Sequence, residues 1–583
     1  MSFLQLVLKQ MRQRALSTWL TMLSVVLGVA LGSGIMVVQR GAGVLFGQTD
    51  YGYDVIVGPK GSALQLTLNT VYQLDKSPGN IPYSLYEQMM TERKYRANIR
   101  VAVPMAVGDS YKGQRIVASN STFVESPLTL AVDAEYAQST ALDQIKEKLQ
   151  LNRAAQAQQP SGKLENVAQD DLDMSDRTVA SLQRMRNRVD GADAYVPGTV
   201  AAMGEALEQV IAGRDAVRSL LGKPPDEALG KTLEAPIAKL SAAVKTLSAA
   251  FGLDRVVLAD GPIEYRPDQP YQIGQGRMYH PRKFEAIVGS DIPELTGLKL
   301  GDKFHATHGM PDPNITPDIH PEEWTIVGVL KPTHTAADRV LYIPLTTFYC
   351  IFEHEEGLQA ISQLQQGGRP APPAASKPAD HEEKPYALNP DGTIDLKLPK
   401  DEWLVSAILV RSRGGYNVQS LMWDINNQHV AAAVNPASEM RKFFDFFLAP
   451  SARLLAAVSY LVTIVAGVGI LVSIYNSVSA RTREIAILRA LGATRAKVLG
   501  LICCEAGLIG LIGGVVGLLV GHLVGGLGSI FVQKLVGEGF DWINMAREEW
   551  IYLMAVVALS VLAGLVPALK AYRTPVADNL VAG

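Results

Sequence analysis

Four long runs without charge fix most of what this chain can become. Residues 17–39, 454–478, about 506–532 and 550–569 are apolar, the third broken only by His522. A hydrocarbon layer about 30 Å thick is crossed by about 20 helical residues, and each run meets that length. Charged residues make up 19% of the chain, below the roughly 25% of soluble domains, which agrees with membrane spans. A net charge of -3 offers nucleic acid no basic footing. Cys350 stands alone and Cys503 and Cys504 are adjacent, so no disulfide framework is indicated.

Loop charges orient the spans. Lys9, Arg12 and Arg14 precede the first, and Lys570 and Arg573 follow the last. Five basic residues (Arg481, Arg483, Arg489, Arg495 and Lys497) lie between the second and third. The connection from the third to the fourth sets Lys534 and Arg547 against Glu538, Asp541, Glu548 and Glu549. Basic loops stay cytoplasmic, so both termini and residues 479–500 are expected inside and residues 40–450 outside. The first run is longer than a signal-peptide core and no small-x-small site follows it, which favours a retained anchor. Ahead of it, Phe3, Leu4, Val7, Leu8 and Met11 share a helical face. Residues 1–16 therefore read as an interfacial helix on the cytoplasmic leaflet or as a continuation of the span.

The stretch "SARTREIAILRALGATRAKVLG", residues 479–500, sets a charged hairpin between two apolar runs. Ile485, Leu488 and Leu491 recur at three-residue steps near one helical face. Gly492 suits the left-handed closure of a helix, and Thr494 suits the N-cap of the next. A short amphipathic helix, a turn and a helix entering the third span are predicted. Such an element either docks in a groove of another protein or serves only to fix topology. Within the third span, Gly513, Gly517, Gly521 and Gly525 recur every fourth residue, a spacing that lets helices approach closely. Glu505, near the cytoplasmic mouth of that span, is an intramembrane carboxylate and a functional candidate, with a basic hairpin residue as its expected partner.

The ordered run Arg481, Arg483, Glu484, Ile485, Leu488, Arg489, Gly492, Ala493, Thr494, Glu505, Gly513, Gly514 and Gly517 resembles the signature of FtsX-like permeases. These are the membrane subunits of macrolide-export, cell-division and lipoprotein-release transporters. Gly564, Pro567, Ala568 and Pro575 also resemble the family's ending. The resemblance implies that Arg481, Arg483, Glu484, Ile485, Leu488, Arg489, Gly492, Ala493, Thr494 and Lys497 form a coupling helix seated on a separate ABC ATPase. The nearest phosphate-loop pattern here, "PPDEALGKTLE", has Gly230, Lys231 and Thr232 but Pro225 where the first glycine belongs. A proline has no N–H to give a phosphate.

Residues 40–450 divide by composition. Short β-branched runs broken by Gly, Pro and Asn, from Tyr53 to Pro82 and from Asn98 to Glu125, read as strands and turns. Residues 134–251 are Ala- and Gln-rich and read as an inserted helical subdomain, with 154–176 as a flexible connector. Strands return with Val288-Gly289, Gly301-Asp302 and Val327-Gly328. That order resembles the MacB-type periplasmic domain, so an α/β domain of that type is implied. Residues 365–385 form a Pro-rich loop. Seven of the nine histidines fall between His280 and His381. Of these, His305, His308, His320 and His334 are candidate metal ligands, although no Cys or paired carboxylate completes a set in the sequence. Surface histidines in a polar loop are the simpler account, so no metal is assigned.

The fold expected is therefore a four-helix membrane protein carrying a large extracytoplasmic α/β domain with a helical insert. Spans are placed at 17–39, 451–478, 501–532 and 550–570. The hairpin is 479–500, the external loop 533–549 and the tail 571–583. The resemblance implies a multi-pass permease of a bacterial inner membrane, with no cofactor and no catalytic residues of its own. It would be paired with a second permease and driven by the separate ATPase. The cargo would be a lipoprotein, lipid or hydrophobic peptide, with a periplasmic or outer-membrane protein as a further partner. Two other readings stand beside it: a regulator that mechanically activates an external partner such as a cell-wall hydrolase, and a metal-responsive receptor.

Overall fold

The computed structural model describes the chain from Gln5 to Arg573 except residues 6, 8, 10, 13–14, 47–50, 75, 97, 121, 188–195, 252–261, 312–316, 352–383, 415, 481, 491 and 537–538. The Pro-rich loop expected at 365–385 lies almost wholly outside the described residues. The chain forms two compact units, residues 1–48 with 440–583, and residues 49–439.

Helix α1 (Ala15–Phe46) opens the first unit. Ahead of it Val7 and Met11 are helical and buried among the unit's core residues, four apart and so on one helical face.

The 49–439 unit is built on a mixed ten-stranded sheet. In chain order its strands are β1 (Val55–Gly58), β2 (Ile99–Tyr111), β3 (Gln114–Ser119), β4 (Ile273–Gly276) and β5 (Glu285–Val288). They continue with β6 (Lys303–His308), β7 (Ile319–Leu330), β8 (Leu341–Pro344), β9 (Ala407–Ser412) and β10 (Ala432–Val434). The order is β10-β1-β9-β2-β3-β8-β5-β7-β4, with β8 parallel to β3 and β5 parallel to β7. Strand β6 pairs with β7 on one side and with β2 on the other. Strands β2, β3, β8, β5, β7 and β6 thus close into a ring. Alternate residues face one core, including Ala102, Ala106, Ile116, Val288, Phe304, Trp324 and Leu341. Trp324 is fully buried, stacks on Phe304 at 5.9 Å and donates its Nε1–H to Thr347 Oγ1 at 3.0 Å.

Two glycines of the strand pattern have steric reasons. A side chain on Gly328 would strike the carbonyl of Arg277, and one on Gly289 the backbone of Asp338. The segment after β1 corrects the strand reading, because Ala63–Val71 is a helix. Ser62 Oγ accepts the Gln65 N–H at its start, and a cap of that kind outweighs weak β preference.

Helices α2 (Pro127–Gln158), α3 (Gln169–Arg186), α4 (Thr199–Ser219) and α5 (Glu227–Ala250) lie between β3 and β4. Ser126 and Thr129 form a capping box at the start of α2. Most of the stretch read as a flexible connector is helical, since α2 continues to Gln158 and α3 begins at Gln169. The link between them is pinned by Asn152 Nδ2 donating to Glu165 O (2.9 Å) and by the Val167 N–H donating to Lys223 O (2.9 Å). Gly230, Lys231 and Thr232 sit inside α5, past its Asp226 cap. Arg184 ties α3 to the buried Glu125 carboxylate at 3.0 Å, and Gln272 donates to that carboxylate at 2.7 Å.

The chain returns to the first unit through α6 (Ala449–Ala480), α7 (Thr482–Ala490), α8 (Arg495–Val536) and α9 (Arg547–Arg573). Four helical stretches, containing α1, α6, α8 and α9, are long and apolar enough to cross a membrane. They expose leucine, isoleucine and valine along their outer faces, such as Leu20, Leu461, Leu523 and Val566. A face of that kind is stable in lipid and costly in water.

Candidate functional site: the helix seam and the hairpin

Helix α1 packs against α6 and α8, and α9 packs against the same two. The α1–α8 contact is made by glycines. A Cβ on Gly513 would lie 3.0 Å from Val25, and one on Gly517 would lie 2.7 Å from Val29. One on Gly521 would collide with Ser33 Oγ, and one on Gly525 would lie 2.5 Å from Val37. Both series climb by four residues together, so the two helices are parallel and each missing side chain receives one residue of α1. Small residues at this spacing let backbones approach closely where the hydrophobic effect gives helices no mutual attraction.

Polar groups hold the other contacts. Tyr552 of α9 reaches Thr463 Oγ1 at 2.8 Å, Ser459 Oγ at 3.3 Å and the Gly28 carbonyl at 3.3 Å, joining α9, α6 and α1 in one buried knot. At the end of the bundle near the α8–α9 loop, His522 Nδ1 contacts the Trp542 carbonyl at 2.5 Å and its Nε2 contacts Glu549 Oε2 at 2.7 Å. A carbonyl only accepts, so Nδ1 carries a hydrogen. Arg40 of α1 lies 3.4 Å from the other oxygen of this fully buried Glu549 and donates to Asn544 O at 2.8 Å. Sequence reading noted His522 as an exception within an apolar run and counted Glu549 only as a loop charge. Their convergence with Arg40 depends on three helices meeting, which no local pattern reports.

At the opposite end, α7 and the start of α8 form the hairpin. The Gly492 N–H donates to Arg489 O at 3.1 Å, and Gly492 itself has φ +97°, a conformation that side-chain-bearing residues resist. Thr494 Oγ1 accepts the Lys497 N–H at 3.3 Å, which caps α8. Arg481 lies outside the described residues, as do the side chains of Arg483 and Leu488. Ile485 packs inward against the helix core beside buried Ala486, so it does not line an outward apolar ridge. Among the described side chains of α7 the exposed large apolar one is Ile487, 44% accessible, which the three-residue periodicity passed over. Elsewhere in the hairpin Glu484, Gly492, Thr494, Arg495 and Lys497 are exposed, while Arg489 and Ala493 are partly covered. Glu505 is buried on α8, one turn below Leu501 and Ile502.

The four candidate histidines separate. His305 and His308 lie three apart on strand β6 and so point to opposite faces. His305 Nδ1 contacts the Glu322 carbonyl at 3.0 Å. His334 sits in a turn at φ +52°, its N–H donated to Asp338. His308 and His320 converge, and a carboxylate absent from the sequence reading, Asp109 of β2, joins them. Cys350 is buried, which pushes its thiol pKa well up and leaves it unreactive.

Residues 456–576 match the FtsX-like permease C-terminal family. The chain is 30% identical over 188 residues to a macrolide export ATP-binding/permease protein, MacB, of Nitrobacter winogradskyi, covering 32% of this chain and 26% of that one. Against the MacB of Hahella chejuensis it is 35% identical over 123 residues, 21% of this chain and 18% of that one. An uncharacterized ABC transporter permease of Methanocaldococcus jannaschii is 29% identical over 134 residues, 23% of this chain and 33% of that one. The chain therefore spans a third or less of the length of these relatives.

Proposed function

We propose that this chain, an ABC transporter permease of the FtsX/MacB family, turns ATP hydrolysis by a separate ATPase subunit into movement of its 49–439 unit. The observation that carries the reading is the hairpin. Ile487 stands exposed on a short helix followed by a glycine turn, and Glu484, Thr494, Arg495 and Lys497 of the same hairpin are exposed as well. An exposed apolar side chain on a charged hairpin suits a groove on a soluble partner, with the apolar contact supplying affinity and the charges register. On this reading the hairpin and both termini face the cytoplasm of a bacterial inner membrane and the 49–439 unit lies outside.

Displacement of the hairpin passes into α6 and α8, which flank it in the chain. Helix α8 carries α1 with it along the glycine seam, where each of the four glycines holds one residue of α1. Helices α1 and α6 are the chain's two connections to the 49–439 unit, so both leads move together. Two copies flanking two ATPase subunits complete the machine, and a lipoprotein, lipid or hydrophobic peptide is the cargo class. The exposed Ile487 offers a test that leaves the bundle intact. Ile487→Asp is expected to weaken co-purification of the ATPase about ten-fold or more, as loss of an interface anchor does. Unchanged association would remove the hairpin from the interface. Extraction of labelled lipoprotein or lipid from vesicles, measured on the same complex, separates transport from activation of an external partner.

A further inference from the structure

The geometry points to a transition-metal site of the zinc class in the 49–439 unit, with Asp109, His308 and His320 as its ligands. The inference stands apart from the transport reading, because it rests on the closing seam of the strand ring. Asp109 of β2 and His308 of β6 are directly opposed partners where those strands meet. Directly opposed side chains share a face of the sheet. His320 follows Ile319, which pairs with Thr307 of β6, so it falls on the same face as His308. Two consecutive strands and a third almost two hundred positions away thus deliver two imidazoles and a carboxylate to one point.

The His320–Asp109 contact is a hydrogen bond, and the distances across the three groups also fit a shared metal. His320 Nε2 lies 3.3 Å and His308 Nδ1 3.7 Å from the same oxygen, Asp109 Oδ1. All three donor atoms lie within 4.8 Å of one another. Tetrahedral zinc with bonds of about 2.0–2.1 Å sets its donors about 3.4 Å apart, so small side-chain rotations suffice. The His308 contact, by contrast, is too long for a hydrogen bond. Imidazole donors select zinc and its neighbours over magnesium or calcium, which prefer all-oxygen shells.

Burial is graded in the way an accessible site requires. The Asp109 and His320 side chains are 0% and 1% accessible, whereas that of His308 is 51% accessible. Two ligands are therefore fixed in the wall and the third closes from solvent. The mouth is a cleft of about 1060 Å³ whose walls include Lys112, Arg115 and Lys303. Lys303 is paired with Glu323 at 2.6 Å, and Lys112 donates to Thr296 O at 2.9 Å. Asp109 and His308 line this cleft, so water or an anionic group entering it has access to a metal held there.

The test uses the untagged full-length chain in detergent, stripped of metal and titrated with Co2+ and then Zn2+. One equivalent of Co2+ is expected, with the visible absorption of tetrahedral cobalt, displaced by one equivalent of Zn2+. His308→Ala changes an exposed side chain and preserves the fold. It is expected to weaken uptake about 100-fold, at least matching the cost of losing a ligand's supporting partner. His305→Ala, on the opposite face of the same strand, is expected to bind as the parent does. Absence of stoichiometric uptake, or equal loss in the two histidine variants, would overturn the site. Asp109→Asn provides a third reading where its far-UV spectrum matches the parent, and undiminished uptake there would also overturn it.

Discussion

In the membrane unit, helices meet where side chains are missing; in the 49–439 unit, the core forms where side chains are largest. The α1–α8 seam is four glycines receiving Val25, Val29, Ser33 and Val37. The ring of strands is filled by Trp324, Phe304 and their aliphatic neighbours. The solvent explains the difference. In water, apolar area itself drives burial, at about 25 cal/mol per Å², and bulky residues bury most of it. In lipid that drive vanishes between helices, so close backbone contact and a few polar bonds must hold the bundle.

The sharpest way to break this contrast is Gly521→Val. Its added carbons would run into Ser33 and the Ala30 carbonyl. No folded bundle is expected, read as loss of the monodisperse species on size-exclusion chromatography in detergent. A fully active variant would mean that α1 and α8 do not meet there. Next in size is Trp324→Ala, which empties the ring of its fully buried indole. A loss of about 3–5 kcal/mol is expected, seen as a lowered urea midpoint for the 49–439 unit while the helical signal of the spans persists. Equal sensitivity of both units would dissolve the distinction. The smallest effect is expected from Tyr552→Phe, which removes the hydroxyl from Ser459, Thr463 and the Gly28 carbonyl. Hydrogen bonds between membrane helices contribute about 0.6 kcal/mol on average, so a modest drop in melting temperature is expected. A collapse comparable to Gly521→Val would make polar bonding, and not glycine packing, the dominant glue.

The same contrast governs what the sequence disclosed. Spans, hairpin turn and glycine spacing are local patterns, and Gly492 and Thr494 were legible because a turn and a cap are written in adjacent residues. The 49–439 unit was legible only as strands and helices. Its ring closes because β6 pairs with β2, almost two hundred positions away, and no periodicity encodes that. Asp109 was missed for this reason, although two of its histidine neighbours had been picked out. Ile487 was missed for another: Ile485 was assigned outward by spacing alone, whereas the helix core takes it inward. His522 and Glu549 were each visible in the sequence, but their meeting with Arg40 depends on three helices packing.

The central claim is that the hairpin and the 49–439 unit lie on opposite sides of a membrane, with force passing between them. Single cysteines at Thr494 and at Asp391, both exposed, test it in a background with Cys350, Cys503 and Cys504 replaced. Intact cells are treated with a membrane-impermeant maleimide. Labelling at 391 alone, with 494 reacting only after the membrane is opened, is the predicted result. Labelling of 494 in intact cells would contradict the account.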